Sequence, residues 1–256
     1  MIDKLYELFE KSIPDYQGKI CVPISGGLDS RVLAGLIAKK RKKVNQPIEL
    51  SYCQFFIKHP VKLGTQIKPV KYARQIADIC GVERFEPICV NYDTDEDLEA
   101  IKGLACEDQL KQSRMYTGVR ILNERVNLKD YTIISAHGPD SFTGIGVNPF
   151  TLFTYKERDI KTSYKRVQYF NSIFPGTYGA FAKWDCPVWG NELTEWCENL
   201  PLKYRFHQYL YRQMIKKYFP ELAVIKREGM DVSMDIGEVR YFYERTKHWF
   251  NKKVKK

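Results

Sequence analysis

Zinc-binding and disulfide patterns are missing from this sequence. Its seven cysteines, at 21, 53, 80, 89, 106, 186 and 197, form no Cys-x-x-Cys pair, and its four histidines add no zinc-like spacing. That excludes a zinc ribbon or a disulfide scaffold, and the cysteines read as small buried apolar side chains in a reducing compartment. No apolar run nears the roughly 20 residues that a membrane-spanning helix needs. The first residues, Met1-Ile2-Asp3-Lys4, lack the basic start and apolar stretch of a signal peptide, so the cytoplasm is the expected location. No Gly/Ser/Pro-rich linker, low-complexity tract or internal repeat divides the 256 residues, which therefore read as a single domain.

Positive charge is abundant. Lys and Arg number 41 against 31 Asp and Glu, a formal net charge of +10 that favours nucleic acid or polyanionic small molecules. Part of the excess lies in Lys39-Lys40-Arg41-Lys42-Lys43 and in the tail Lys252-Lys253-Val254-Lys255-Lys256. The first cluster falls where a helix should end, and both read as solvated faces.

The organising stretch is Cys21-Val22-Pro23-Ile24-Ser25-Gly26-Gly27-Leu28-Asp29-Ser30-Arg31. An apolar, β-prone run from Ile20 to Ile24 enters a Ser/Gly turn. From Asp29 onward, Val32, Leu33, Leu36 and Ile37 repeat at helical spacing. Strand, glycine loop and helix N-terminus together point backbone N–H groups and a positive dipole at one spot, which suits phosphate. Gly26 and Gly27 let the main chain close around an anion, Ser25 and Ser30 add hydroxyl donors, and Asp29 can hold magnesium. The loop lacks both the Gly-Lys-Ser/Thr ending of a Walker loop and the three spaced glycines of a dinucleotide fingerprint.

Along the chain, 1 to 12 reads as an amphipathic helix stopped by Pro14, Ile48 to Phe56 as a strand, and Ile57 to Gln66 as a loop. Val70 to Cys80 has helical spacing with Gly81 as its C-cap, and Phe85 to Val90 is a third strand. Helices follow at Asp93 to Leu104 and Asp108 to Val126, then a fourth strand at Tyr131 to Ala136. This alternation predicts an α/β fold: a parallel sheet with helices on both faces, over 1–146. Beyond Gly146 strand-like runs disappear and helices dominate, at about 152 to 171, 190 to 199, 203 to 218 and 238 to 250. The 147–256 segment is therefore expected to be a helical region docked on the sheet.

Ligands in open α/β sheets sit beyond the carboxyl ends of the strands. There the fourth strand runs into Ser135-Ala136-His137-Gly138-Pro139-Asp140-Ser141-Phe142-Thr143-Gly144. Asp140 reads either as a second magnesium ligand beside Asp29 or as a turn cap. His137 reads as an acid/base group or as a loop histidine bonded to its neighbours. Arg114 reads as a phosphate or carboxylate contact or as part of a solvated helix face. Trp184, Trp189, Trp196, Tyr204, Phe206, Tyr209 and Tyr211 can stack on a base, but their spacing fits core packing better.

Ser-Gly-Gly-Leu-Asp-Ser resembles, residue for residue, the pyrophosphate loop of the N-type ATP pyrophosphatases. The resemblance implies an adenine nucleotide α-hydrolase-like fold and cleavage of ATP between its α- and β-phosphates. More narrowly, the chain resembles the synthetase domain of asparagine synthetases. Ser135, Gly138, Asp140 and Gly144 keep their places in that family's second loop. Pro187, Asn191-Glu192-Leu193, Leu200-Pro201 and Phe219-Pro220-Glu221-Leu222-Ala223 follow its downstream pattern, ending in the basic stretch Lys226-Arg227-Glu228-Gly229-Met230.

The resemblance implies that Ser25, Gly26, Gly27, Asp29 and Ser30 cradle the β- and γ-phosphates, and that Asp29 and Asp140 hold magnesium. Lys226 or Arg227 would face the α-phosphate. Ile24, Cys53 and Ala136 would wall the adenine, with Gly138 also in the nucleotide site. Departures from the family are informative. His137 and Ser141 replace acidic residues, and Arg227 stands where the family has lysine. Met1 is not followed by the family's nucleophilic cysteine, so a separate glutaminase or free ammonia would supply nitrogen. Sulfur-inserting relatives carry paired cysteines, which are missing here.

The expected activity is that of an ATP-dependent, AMP- and pyrophosphate-forming ligase acting on a carboxylate or amide oxygen of a small molecule. Two alternatives stand beside it: adenylation of a tRNA or DNA base, and a non-catalytic nucleotide-binding partner subunit. No membrane partner is expected.

Overall fold

The computed structural model describes residues 1–55, 63–90, 99, 109–136, 174–187, 191–205, 208–227, 230 and 232–254. Its centre is an all-parallel five-stranded sheet. The strands are β1 (Lys19–Pro23), β2 (Ile48–Phe55), β3 (Val82–Cys89), β4 (Tyr131–Ile134) and β5 (Lys183–Asp185), in spatial order β3-β2-β1-β4-β5. The order turns back between β1 and β4, whose partners are Lys19 with Tyr131 and Cys21 with Ile133. A crevice opens at such a reversal, beyond the carboxyl ends of the two strands.

Side-chain alternation along β1 divides the core. Ile20, Val22 and Ile24 face one layer, built from α1 (Ile2–Ser12), α2 (Asp29–Lys43), α3 (Leu63–Ile79) and α7 (Tyr209–Tyr218). Cys21 faces the opposite layer, where Leu50, Tyr52 and Ile133 meet Val119 and Leu122 of α4 (Gln109–Val126) and Phe174 and Tyr178. Helices therefore cover both faces, as a parallel sheet with apolar strands requires. The remaining described α-helices are α5 (Asn191–Glu198), α6 (Leu202–Arg205), α8 (Pro220–Ala223) and α9 (Glu238–Val254). None is long and apolar enough to cross a membrane.

Local chemistry explains the α2 boundaries. Asp29 sits in its positive first turn and Lys40, Arg41, Lys42 and Lys43 in its negative last turn. In the helix middle, Gly35 permits a close approach: a Cβ there would lie 2.8 Å from the Phe219 ring. That contact seats the turn before α8 directly on the phosphate-loop helix. Gly81 closes α3 at φ 67°, as the sequence predicts.

Several boundaries differ from the sequence expectation. The α3 helix begins at Leu63, where a loop through Gln66 was expected, and contains Pro69, which removes only one N–H from the ladder. Strand β3 starts at Val82, three residues before Phe85, because pairing with Ile48 of β2 extends it. Beyond 146 the chain is not purely helical: Lys183–Asp185 add a fifth strand through Thr132–Lys183, Ile133–Trp184 and Ile134–Asp185. The expected helix at 203 to 218 is two helices, α6 and α7. The expected helices at 93–104 and 152–171 lie outside the described residues, apart from the single helical residue Glu99.

The basic run at the end of α2 is not simply solvated. Arg41 is buried, with Nε donating to Pro47 O at 2.8 Å and Nη2 paired with Glu49. Lys39 Nζ donates to Tyr218 O at 2.7 Å and lies 4.4 Å from the Phe219 ring centre. Lys40 Nζ donates to Ile13 O at 2.5 Å. These cations fasten α2 to its neighbours. Of the described cysteines, Cys21, Cys53 and Cys197 are buried and none of the six is in a disulfide, with Cys197 pushed up to about 12 by burial. Trp184, Trp196, Tyr204 and Tyr211 pack in or against the two cores, as their spacing predicts. Trp189, Phe206 and Cys106 lie outside the described residues.

Candidate functional site

Ile24 continues β1 by donating its N–H to Tyr52 O at 2.9 Å, and the chain then folds sharply into α2. Two hydroxyls shape the turn. Ser25 N donates to Ser30 Oγ at 3.0 Å, the two Oγ atoms are 3.1 Å apart, and Gly27 N donates to Ser25 Oγ at 3.1 Å. Ser30 is buried and Ser25 exposed, so Ser30 braces the loop from beneath while Ser25 faces outward. Gly27 leaves room for this: a Cβ would come within 3.0 Å of Ser25 Oγ. Asp29 heads α2, and Tyr211 OH of α7 donates to its Oδ1 at 3.3 Å.

The loop opens into a cleft of about 380 Å³. Ile24, Ser25, Gly27, Asp29 and Ser30 line it together with Ala136 and Arg227. Seven of the expected residues thus share one concavity at the sheet reversal. Gly26 is not on its surface; it is buried, and its carbonyl accepts from Arg31 Nη2 at 3.3 Å. Lys226 is exposed and absent from the lining, so of the adjacent pair Arg227 is the one that reaches the cleft. Cys53 also lies outside the lining. Its side chain belongs to the core layer under α2, whereas its neighbours Tyr52 and Gln54 point the other way and line the cleft. The period of two along a strand accounts for the difference. His137, Gly138 and Asp140 lie outside the described residues.

Four lining residues were not singled out by sequence: Tyr52, Gln54, Met115 and Tyr178. The alternation of β2 carries a signal for Tyr52 and Gln54, since both share parity with buried Leu50. Nothing local marks Met115 or Tyr178. Burial pushes the Tyr52 and Tyr178 phenols well above their ordinary range, so both stay protonated donors at neutral pH. Gln54 Nε2 donates to Arg114 O at 2.5 Å, and a Cβ on Gly118 would meet the Gln54 amide at 2.3 Å. This amide is wedged against α4. Arg114 itself is exposed.

The fold also connects the cleft walls behind the surface. Arg31, fully buried, sends Nη1 to Leu222 O and Ile225 O at 2.9 and 2.8 Å, and Nη2 to Lys226 O at 3.0 Å. Burial, with the nearby Arg227 charge, lowers its pKa to about 10, so it remains a cation at neutral pH. Serine hydroxyls, a helix N-terminus, a carboxylate and a guanidinium around one cleft can bind a polyphosphate with its counter-cation. A magnesium ion usually takes one or two carboxylates, phosphate oxygens and waters, and Asp29 in the lining fits that donor set. Among the described residues no group of three or more His, Cys, Asp or Glu could hold a metal without such a ligand.

Comparison of the sequence with protein-family models and with curated proteins found no match.

Proposed function

We propose that the chain binds Mg-ATP in this cleft and acts as an ATP-dependent ligase of the asparagine synthetase-like kind. A carboxylate or amide oxygen of the acceptor attacks the α-phosphorus, pyrophosphate leaves, and a nitrogen nucleophile then displaces AMP. The observation that carries the reading is the junction at the sheet reversal. Ser25-Gly26-Gly27-Leu28-Asp29-Ser30 links β1 to α2, and Arg227 lines the same cleft. Ser25, Gly27 and Ser30 would hold the β- and γ-phosphates, and Arg227 would take charge developing near the α-phosphate. Magnesium, held by Asp29 and, from the sequence, Asp140, would offset the phosphate charge. The protein's main contribution is to orient the reactants and exclude competing water.

Pyrophosphate release from ATP tests the reading, with small carboxylates and amides as acceptors and ammonia or a separate glutaminase as nitrogen source. Release that needs one of these acceptors supports it, and Asp140→Asn should then lower turnover about a hundredfold while ATP still binds. The net charge of +10 favours one competing reading, adenylation of a nucleic-acid base. Release that responds only to tRNA, with steep salt dependence, would select that reading instead. ATP binding with no release under any condition would indicate a nucleotide-binding partner subunit.

A further inference from the structure

Arg227 reaches the cleft from the segment after α8, and groups behind the cleft hold its guanidinium. Nη1 donates to Gln208 Oε1 at 2.7 Å and to Tyr241 OH at 3.0 Å. The same Gln208 oxygen accepts from Arg245 Nη1 at 3.0 Å. The Arg227 backbone is also fixed, its N–H donating to Val232 O at 2.8 Å. Gln208 and Tyr241 are buried, at 2% and 0% exposure, so this cluster is interior and water competes little for its bonds.

Two features set the cluster apart from ordinary packing. Gln208 has φ 59°, a left-handed conformation that is costly for a residue with a Cβ and persists where the surroundings impose it. Here its side-chain oxygen is shared by two arginines. The second feature is charge. Among the described residues, the side-chain acceptors of Arg227 and Arg245 are an amide oxygen and a phenol, both neutral. A carboxylate in either place would cancel the positive charge at the cleft wall. Arg212, stacked 3.8 Å from the Tyr241 ring centre, does have a carboxylate partner in Glu238. Burial pushes the Tyr241 phenol up, but Arg227, Arg245 and Arg212 outweigh it and hold the group below its ordinary range.

We propose that Gln208, Tyr241 and Arg245 are positioning residues that aim the Arg227 guanidinium at an anionic phosphate group in the cleft, making α9 part of the nucleotide site. The inference rests on the Mg-ATP reading above. Among the described residues both hydrogen bonds of the side chain leave from Nη1, so Nε and Nη2 form the edge that grips phosphate oxygens as a pair. Arg245 contributes a second positive charge behind the first and fixes the orientation of the shared Gln208 oxygen.

Calorimetric titration with Mg-ATP tests this on the full chain. Tyr241→Phe removes a single oxygen and should weaken binding about tenfold, the scale of one hydrogen bond to a charged group. Gln208→Glu keeps the shape but places a carboxylate against both arginines, and should weaken binding by at least as much. Should Tyr241→Phe fail to fold, Gln208→Glu carries the test. In an Arg227→Met background, Tyr241→Phe should change affinity less than twofold, because a positioning residue acts only through the group it positions. Unchanged affinity in both single variants overturns the inference, as does a full Tyr241→Phe effect without Arg227. Wild-type protein that binds no Mg-ATP overturns the functional reading and takes this inference with it.

Discussion

Arg31 Nη1 lies 2.8 Å from the carbonyl oxygen of Ile225 and donates to it, joining the residue after the phosphate loop to the stretch that presents Arg227. The same guanidinium bonds Lys226 O, 195 residues away in sequence, and Gly26 O within the loop itself. Four backbone carbonyls thus share one buried cation. Their dipoles replace the carboxylate that a buried arginine would otherwise need.

Arg31→Met should therefore be costly. It takes a charged donor away from the carbonyls of Gly26, Leu222, Ile225 and Lys226 at once. A loss of about 3–5 kcal/mol is expected, read as a lower urea midpoint with an unchanged m value. Arg31→Lys keeps the charge but cannot reach every acceptor, and should lose about half as much. A change below roughly 1 kcal/mol in Arg31→Met would show that the staple is unimportant.

Tyr211→Phe removes the hydroxyl that donates to Asp29 Oδ1 at 3.3 Å. The ring stays in the core, so thermal stability should change little. The carboxylate loses one constraint on its direction. Mg-ATP affinity should fall about threefold to tenfold, while binding of ATP measured with EDTA present should not change. Equal losses with and without magnesium would contradict this role for Tyr211.

Glu238 opens α9 and is bonded to Arg212 of α7, with Nη1 3.1 Å from Oε1. Burial pushes its carboxyl up, but Arg212 and then Lys216 outweigh that and leave its pKa below the ordinary 4.5. The sign follows. An unfolded chain binds this proton at higher pH than the folded one, so the contribution is complete above about pH 4.5 and fades as pH falls through the folded value. Melting temperature should drop in this acid range, and Glu238→Gln should flatten that part of the profile. A variant whose acid profile matches the wild type would rule the pair out as its source.

The strand, loop and helix at Ile20 to Ile37 were legible because each signal is local: an apolar run, two glycines and a helical repeat. The three following strands were legible for the same reason, although their ends shifted by a few residues. Lys183–Asp185 was not, since Lys-Trp-Asp has no apolar alternation and becomes a strand only by pairing with β4. Cys53 was placed at the cleft by its position at a strand end, where the parity of the pleat assigns that wall to Tyr52 and Gln54. Arg31, Gln208 and Tyr241 carried no sequence mark of a role. Their partners lie far along the chain: Arg31 bonds Leu222, Ile225 and Lys226, and Gln208 and Tyr241 bond Arg227.

Titration of Mg-ATP into the wild type and Asp29→Ala, side by side in a calorimeter, tests the central claim most directly. Asp29 is in the cleft at the head of α2, where a carboxylate would hold the metal that accompanies the phosphates. The account predicts one-to-one binding by the wild type and loss of magnesium-dependent binding in Asp29→Ala, with the fold retained. No binding by the wild type, or equal binding by both proteins, would contradict it.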